Sequence, residues 1–452
     1  MSATIAEQLA DRIVALAPAR LPATLRAKCD DLLIDVIGLC VTARNEDYVT
    51  STRNACDDDG PCTAIGHKRR LSAASAALVN GTAAHGEDFD DTFEGGPVHA
   101  GAVIVPAVLA ACERHHPDGK AALLGIAVGS EVMCRLSLVA PKSIHRAGFH
   151  PTAVLGAIAA AAGAAVAIGC DKKQIVNALG ISGSMASGII EYLAEGSWTK
   201  RMHAGWAAQS GLRAALLGRN GFVGPRTVFE GTHGLFHGFA HSKDGHYGAL
   251  LDDFGQRWVI ETLAFKPYPC GTMAHPFIDC ARRLAASGIK ADDIEEMVCE
   301  TAEGIVHRLW EPLVEKQRPP NGYAAKFSIP YCIAVGFLRG NVGLDSFAEA
   351  SISDPAVIAL AAKVRYEIDP KNPYPNEFTG HIRVRLKNGK MAEERQPHFR
   401  GGAHEPLTRR DIEDKFLLNA RHGGWSAERA RSALRAASQF YGNPFTLDQF
   451  GE

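Results

Sequence analysis

Apolar residues recur at intervals of three and four through most of the first half of the chain. That period predicts amphipathic or buried helices over residues 5–16, 25–41, 73–84, 102–113, 121–139, 152–169 and 206–217. Alternating strand-like patterns are scarce before about residue 290. The texture then changes. Residues 294–302 (IEEMVCETA) and 364–368 (VRYEI) read as strands. Residues 381–386 and 390–396 read as a hairpin around Asn388-Gly389, a pair suited to a type I′ turn. Helices over 275–286, 327–337 and 355–363 are interspersed. The tail is helical again, with Thr408 and Asp411 placed as an N-terminal cap.

This order predicts a mainly α protein in two parts. A large all-helical domain covers 1–266, and the helices of 405–452 pack back on it. A smaller α+β domain, expected to act as a lid, covers 267–404. The two prolines of KPYPCG (266–271) forbid helix there and suit a linker. A length of 452 residues agrees with two domains.

Composition narrows the function. A net charge of −2 gives no electrostatic case for nucleic acid or an anionic membrane. The 11 cysteines are odd in number and scattered, without a CxxC pair. Reduced thiols in a cytoplasm are therefore expected, with no disulfide frame and no zinc site. The N-terminus has early acids and no continuous apolar stretch, so it does not read as a secretory signal. The uncharged run TAVLGAIAAAAGAAVAIG imitates a membrane span, but alanine and glycine contribute little to insertion. It reads as a buried helix that packs closely through small residues.

The densest chemistry lies in HGEDFDDTFEGGPVHAG, residues 85–101. It holds Glu87, Asp88, Asp90, Asp91 and Glu94, with Thr92, His85 and His99, between two apolar helices. A solvated acidic loop is the plain alternative. However, Gly95, Gly96 and Pro97 form a turn that would return the acids toward His99.

Four more segments carry unusual polar density. HRAGFHPT places Arg146 and His150 just before a helix, whose free N–H groups favour an anion. GSWTKRMHAGW puts Lys200, Arg201 and His203 at a helix start, where they oppose the helix dipole unless a carboxylate ligand is bound. AFKPYPCGTMAH holds Lys266 between an apolar residue and a rigid turn, where desolvation can make a lysine a base. NGYAAKFSIPY carries Tyr323 and Lys326 into an apolar helix. Helix capping and surface charge are the bland readings of all four. Two features are set aside. His233, His237 and His241 have i, i+4 spacing but no HExxH acid, and glycines interrupt the helix. GISGSMASG follows no strand and matches no phosphate loop.

Taken in order, NGTAAHGEDFDDT, HAG, GFHPT, TKRMHAGWAAQSG, KPYPC and AKFSIPY resemble the MmgE/PrpD family over nearly the whole chain. The resemblance implies a large helical domain, a smaller α+β lid, a homodimer and no metal or organic cofactor. It also implies chemistry at a carbon beside a carboxylate, as in 2-methylcitrate dehydratase, cis-aconitate decarboxylase and iminodisuccinate epimerase. Roles carry over to Asp88, Thr92, His99, His150, Lys200 and Lys266. The chain departs from the dehydratases within DFDDTFEGGPVHAG, and from the animal decarboxylases at Gly271, where they have a histidine. Epimerisation of iminodisuccinate is the expected reaction, with dehydration of 2-methylcitrate or decarboxylation of cis-aconitate as alternatives. The substrate is a small di-, tri- or tetracarboxylate. Asp88, Thr92, His99, Lys200 and Lys266 are assigned to catalysis, and Arg146, His150, His203 and Tyr323 to substrate binding. A helical scaffold without activity is the competing class, and it requires these segments to lie apart.

Overall fold

The alanine-rich run that imitates a membrane span forms the helix Pro151–Ala167, almost every residue of which is buried. It packs against the helices Gly119–Val139 and Thr199–Arg219. Among the residues described, 2–96, 98–442 and 445–452, only Gly119–Val139 is long and apolar enough to cross a membrane. In this computed structural model 89% of its apolar window is buried inside the fold.

The chain forms two compact units, residues 1–263 with 408–452, and residues 264–407. In the first, small residues let helix backbones approach. A Cβ on Gly205 would lie 2.1 Å from the Leu78 carbonyl oxygen, and one on Gly81 would lie 2.6 Å from Gly205 Cα. The helices Ala73–His85 and Thr199–Arg219 therefore touch backbone to backbone, which brings the end of one beside the start of the other. The C-terminal helix Arg409–His422 begins with a reciprocal capping box of Thr408 and Asp411. It packs on Ala23–Ala43, where Lys415 Nζ lies 2.7 Å from Asp35 Oδ1.

The unit is not wholly helical. Strands β1 (Asp59–Thr63) and β2 (Arg70–Leu71) form a short antiparallel ribbon with irregular register. Its pattern is too brief for alternation to register, and β1 contains Gly60 and Pro61.

In the second unit, β3 (Ile294–Thr301), β4 (Val364–Ile368), β5 (Gly380–Leu386) and β6 (Met391–Gln396) form one sheet in the order β4-β3-β5-β6. β3 pairs parallel with β4 and antiparallel with β5. Met297, Cys299, Ile382 and Val384 point to a core shared with the helices His275–Ala286 and Ile329–Arg339. The hairpin turn differs from the type I′ expectation. Gly389 is left-handed at φ 82°, whereas Asn388 is absent from the positive-φ residues. Gly389 N–H donates to Leu386 O, and Leu386 N–H donates to Lys390 O. This is the longer turn that ends in a glycine bulge.

All 11 cysteines are buried and none forms a disulfide.

Candidate functional site

Three helices of the first unit begin, and one ends, at a single polar cluster. Ala73–His85 ends there with His85. Gly101–His115 begins after His99 and Ala100. His150 is the N-cap of Pro151–Ala167, and Lys200 and His203 lie in the first turns of Thr199–Arg219. Three helix N-termini together make the region favourable to anions. The last helix starts seven residues earlier than the sequence pattern suggests, so its basic residues are inside it rather than ahead of it.

The acidic loop is ordered by its own carboxylates. Asp91 accepts the N–H groups of Ala100 and Gly101, each at 2.9 Å, and so caps the helix that follows. Burial, then the neighbouring Asp90, push its carboxyl up to about 8, against the opposing pull of those two amides. Phe93 N–H donates to Val98 O at 3.0 Å, which returns the chain toward His99. Pro97, part of the expected turn, lies outside the described residues. Asp88 is buried and left-handed at φ 56°. Aspartate tolerates that conformation better than most residues. Its Oδ1 accepts from Lys200 Nζ at 2.5 Å, an ion pair with both side chains nearly out of water.

The imidazoles form a continuous group. His85 Nδ1 lies 2.7 Å from Asp90 Oδ2. His99 Nδ1 lies 2.6 Å from the Asp91 carbonyl oxygen and 3.5 Å from Asp90 Oδ2. A carbonyl only accepts, so this nitrogen carries hydrogen, and the neutral ring keeps its lone pair on Nε2. The His85 ring is 4.9 Å from that of His99 and stacks at 5.7 Å on that of His150. His150 Nδ1 and His203 Nδ1 are 3.1 Å apart. The Tyr192 ring lies edge-on to both, at 5.9 and 5.7 Å. Burial first, then the positive charge potential of His85, His203, Lys200 and His99, hold His150 well below the usual histidine range. Burial, then His85 and Lys200, bring His203 down to about 4. Both rings are therefore neutral at pH 7, the state of a general base.

His85, Asp90 and His99 also present donor atoms within 4.8 Å of one another, a spacing that suits a divalent ion. His99 Nδ1 offers no lone pair while it donates to Asp91, so an ion taken up through that nitrogen would require the bond to break.

The structure thus brings together Asp88, His99, His150, Lys200 and His203. Thr92, four residues after Asp88, is buried in the same loop. Arg146, assigned to substrate binding, lies at the edge of this group of segments. It ends the short helix Ser143–Arg146 with its side chain exposed. Arg201 stacks over the Tyr48 ring at 4.4 Å, and Tyr48 donates to Glu87. Sequence reading gave His85, Asp90, Asp91 and Tyr192 no role. The first three lay in the acidic segment already singled out, but nothing in the sequence marks Tyr192.

Lys266 and Tyr323 belong to the second unit. Lys266 is fully buried. Nearby in sequence, burial alone would push the Cys270 thiol up. Hydrogen bonding from Cys332 and His275 and the charge of Lys266 outweigh it and bring it down to about 5. His275 is buried between the Tyr268 and Phe399 rings, 5.2 Å from each. Tyr323 packs on Phe327, and Lys326 lies over the Phe347 ring.

Comparison with known proteins follows the same division. Residues 7–247 match the MmgE/PrpD N-terminal domain, and residues 268–439 match the MmgE/PrpD C-terminal domain. The chain is 32% identical to human cis-aconitate decarboxylase over 363 residues, 78% of this chain and 73% of that protein. It is 25% identical to a cis-aconitate decarboxylase-like protein of Aspergillus oryzae, over 91% of this chain and 89% of the relative. A mitochondrial 2-methylcitrate dehydratase of Yarrowia lipolytica is 25% identical over 53% of this chain and 47% of its own length.

Proposed function

The chain belongs to the MmgE/PrpD family, and from that premise we propose that it is a lyase that makes or quenches a carbanion beside a carboxylate of a small tricarboxylate. The observation that carries this reading is the buried Lys200–Asp88 pair set among four histidines where three helices begin. A C–H next to a carboxylate is a very weak acid. Its removal needs a neutral base at the proton and positive charge at the developing enolate. His150 and His99 supply the base, and Lys200 with the helix ends supplies the charge.

Decarboxylation uses the same parts in another order. The C–C bond to one carboxylate breaks, CO2 leaves, and a nearby acid protonates the carbon that keeps the electron pair. Dehydration removes the proton first and then expels hydroxide with a second proton. The names of the curated relatives favour these two reactions over the epimerisation of iminodisuccinate.

One observation keeps epimerisation as a second reading. Gly271 occupies the place where the resemblance expects a decarboxylase histidine, and a Cβ there would lie 3.3 Å from Phe327 Cδ1. His275, four residues on, is buried between the Tyr268 and Phe399 rings.

Purified protein incubated with cis-aconitate, 2-methylcitrate and iminodisuccinate in D2O, followed by proton NMR, tests the proposal. Loss of CO2 or water from a tricarboxylate supports it. Deuterium entering only iminodisuccinate moves the assignment to the epimerase. No change in any of the three rejects both.

A further inference from the structure

The mechanism above uses His150 but leaves unexplained why a second buried imidazole lies against it. The two Nδ1 atoms are 3.1 Å apart, within hydrogen-bond distance. Two neutral imidazoles can meet in this way only as complementary tautomers, one donating Nδ1–H and the other accepting. Four features confine the pair: the stacked ring of His85, the edge of Tyr192, the Gly188 backbone, where a Cβ would lie 3.4 Å from His203 Cε1, and burial of both rings to 5% exposure or less. His99 and Lys200 are the other titratable groups whose charge acts on His150.

We propose that His203 is a positioning residue that works with His150 as a proton relay, taking up at its Nδ1 the proton that His150 gives up when its own Nε2 accepts one from substrate. The proposal rests on the functional reading above and extends it to a residue outside the expected catalytic set. At rest the pair is neutral, with His150 donating Nδ1–H to the Nδ1 lone pair of His203. The lone pair of His150 then sits on Nε2, ready as a base. When the substrate C–H bond breaks, its electron pair stays on carbon and its proton bonds to His150 Nε2. The Nδ1–H bond of His150 breaks in turn, and that proton bonds to His203 Nδ1. His150 ends as the neutral Nε2–H tautomer, an acid, and the positive charge rests on His203. Protonation of a carbanion runs the same sequence backward. One proton enters and one leaves in a full cycle, with no other reactant. The low basicity that burial imposes on both rings keeps the resting pair neutral, as the relay requires.

The test has two arms. In the first, the whole protein is labelled with 15N-histidine and its ring nitrogens are read by long-range NMR at pH 7 without substrate. His150→Asn and His203→Asn spectra assign the signals. His150 protonated at Nδ1 and His203 at Nε2, both neutral, is the expected result, and the reverse assignment would also overturn the relay. Identical tautomers, or either ring cationic, would overturn the relay. This arm holds whether or not any tested acid is turned over, so its failure is distinct from failure of the functional reading.

The second arm is kinetic. His203→Asn keeps a hydrogen-bonding group near the Nδ1 position but cannot take up a proton. It should lower kcat about 10-fold or more with KM within about twofold, the pattern for an interaction made only in the transition state. His203→Phe should lose as much kcat and unfold more readily. Wild-type kcat in a folded His203→Asn protein would reject the proposal.

Discussion

Lys200 Nζ and Asp88 Oδ1 lie 2.5 Å apart, although 112 positions separate them in the chain. Asp88 reaches the lysine from a left-handed backbone in the loop after one helix, and Lys200 rises from the first turn of another. The backbone contact of Gly81 and Gly205 sets those two helices side by side. Close packing of small residues thus places a charge pair, and the pair in turn holds the lysine among the imidazoles.

Removing one partner should harm both activity and stability. Lys200→Met leaves the Asp88 carboxylate buried without its cation, at a cost of about 3 kcal/mol or more, the usual scale for breaking such a pair. Turnover should fall about 10²-fold or more. Asp88→Asn tolerates the left-handed backbone. Combined with Lys200→Met, it should recover much of the lost stability and none of the activity. Thermal melts and kcat for the two single variants and the double variant check this. Additive losses of stability would show that the pair is not coupled.

The histidines give stability a pH dependence whose direction follows from their shifts. His203 titrates at about 4 in the fold against an ordinary 6.5, and His150 moves the same way. The unfolded chain therefore binds protons that the folded chain refuses. Their contribution is complete above about pH 6.5 and is lost as pH falls toward 4. For His203 it amounts to about 3 kcal/mol. Asp91, pushed up to about 8, acts in the opposite sense, being complete below its ordinary carboxylate range and lost as pH rises through 8. The comparison of wild type with His203→Asn removes that background. Between pH 7 and pH 4.5 the wild type should lose more unfolding free energy in denaturant titrations than the variant does.

Much of this arrangement can be read in the sequence, because the same residues that carry charge also interrupt helices. The acidic loop, GFHPT and TKRMHAG stand out for that reason, and the structure brings Asp88, His99, His150, Lys200 and His203 into one group. What the sequence hides is decided by packing. Arg146 stands close to His150 in sequence, and the structure puts it at the end of a separate short helix, exposed in the single chain. Tyr192 carries no local signal, because only the third dimension sets its ring against His150 and His203. The β1–β2 ribbon is too short to show alternation. The turn at Asn388-Gly389 is longer than the dipeptide suggests, because the strands it joins end at Leu386 and Met391.

Chelation should leave activity intact. His85, Asp90 and His99 have metal-ligand spacing, but the His99 proton on Nδ1 is committed to the Asp91 carbonyl at 2.6 Å. Asp90 holds His85 at 2.7 Å. An ion bound through His99 Nδ1 would have to displace that proton, and one bound through Asp90 would compete with the hydrogen bond that orients His85. Dialysis against a strong chelator, then assay with and without added zinc, is the measurement. Turnover should be unchanged by removal, and added zinc should inhibit. Loss on chelation with recovery on zinc addition would make the three residues a metal site.

The stretch that carries Lys200 and His203 also exposes unusually large apolar side chains. Ile189, Leu193, Trp198, Trp206, Phe222 and Val223 are all well exposed in the single chain. Scattered apolar residues on a surface need no explanation, but these six with Leu217, seven large ones within one stretch and two of them tryptophan, suit a subunit interface. A twofold dimer is the commonest way to cover such a surface. The chain should therefore sediment as a homodimer at micromolar concentration. Trp206 lies on the outer face of the helix whose first turns carry Lys200 and His203. Trp206→Glu would place a charge in the interface and remove an aromatic anchor. A loss of about 2 kcal/mol at such a position weakens the dimer about 30-fold. Sedimentation velocity over a dilution series should show the variant dissociating at concentrations where the wild type stays paired. A wild-type protein that is monomeric throughout would mean that these side chains face solvent for another reason.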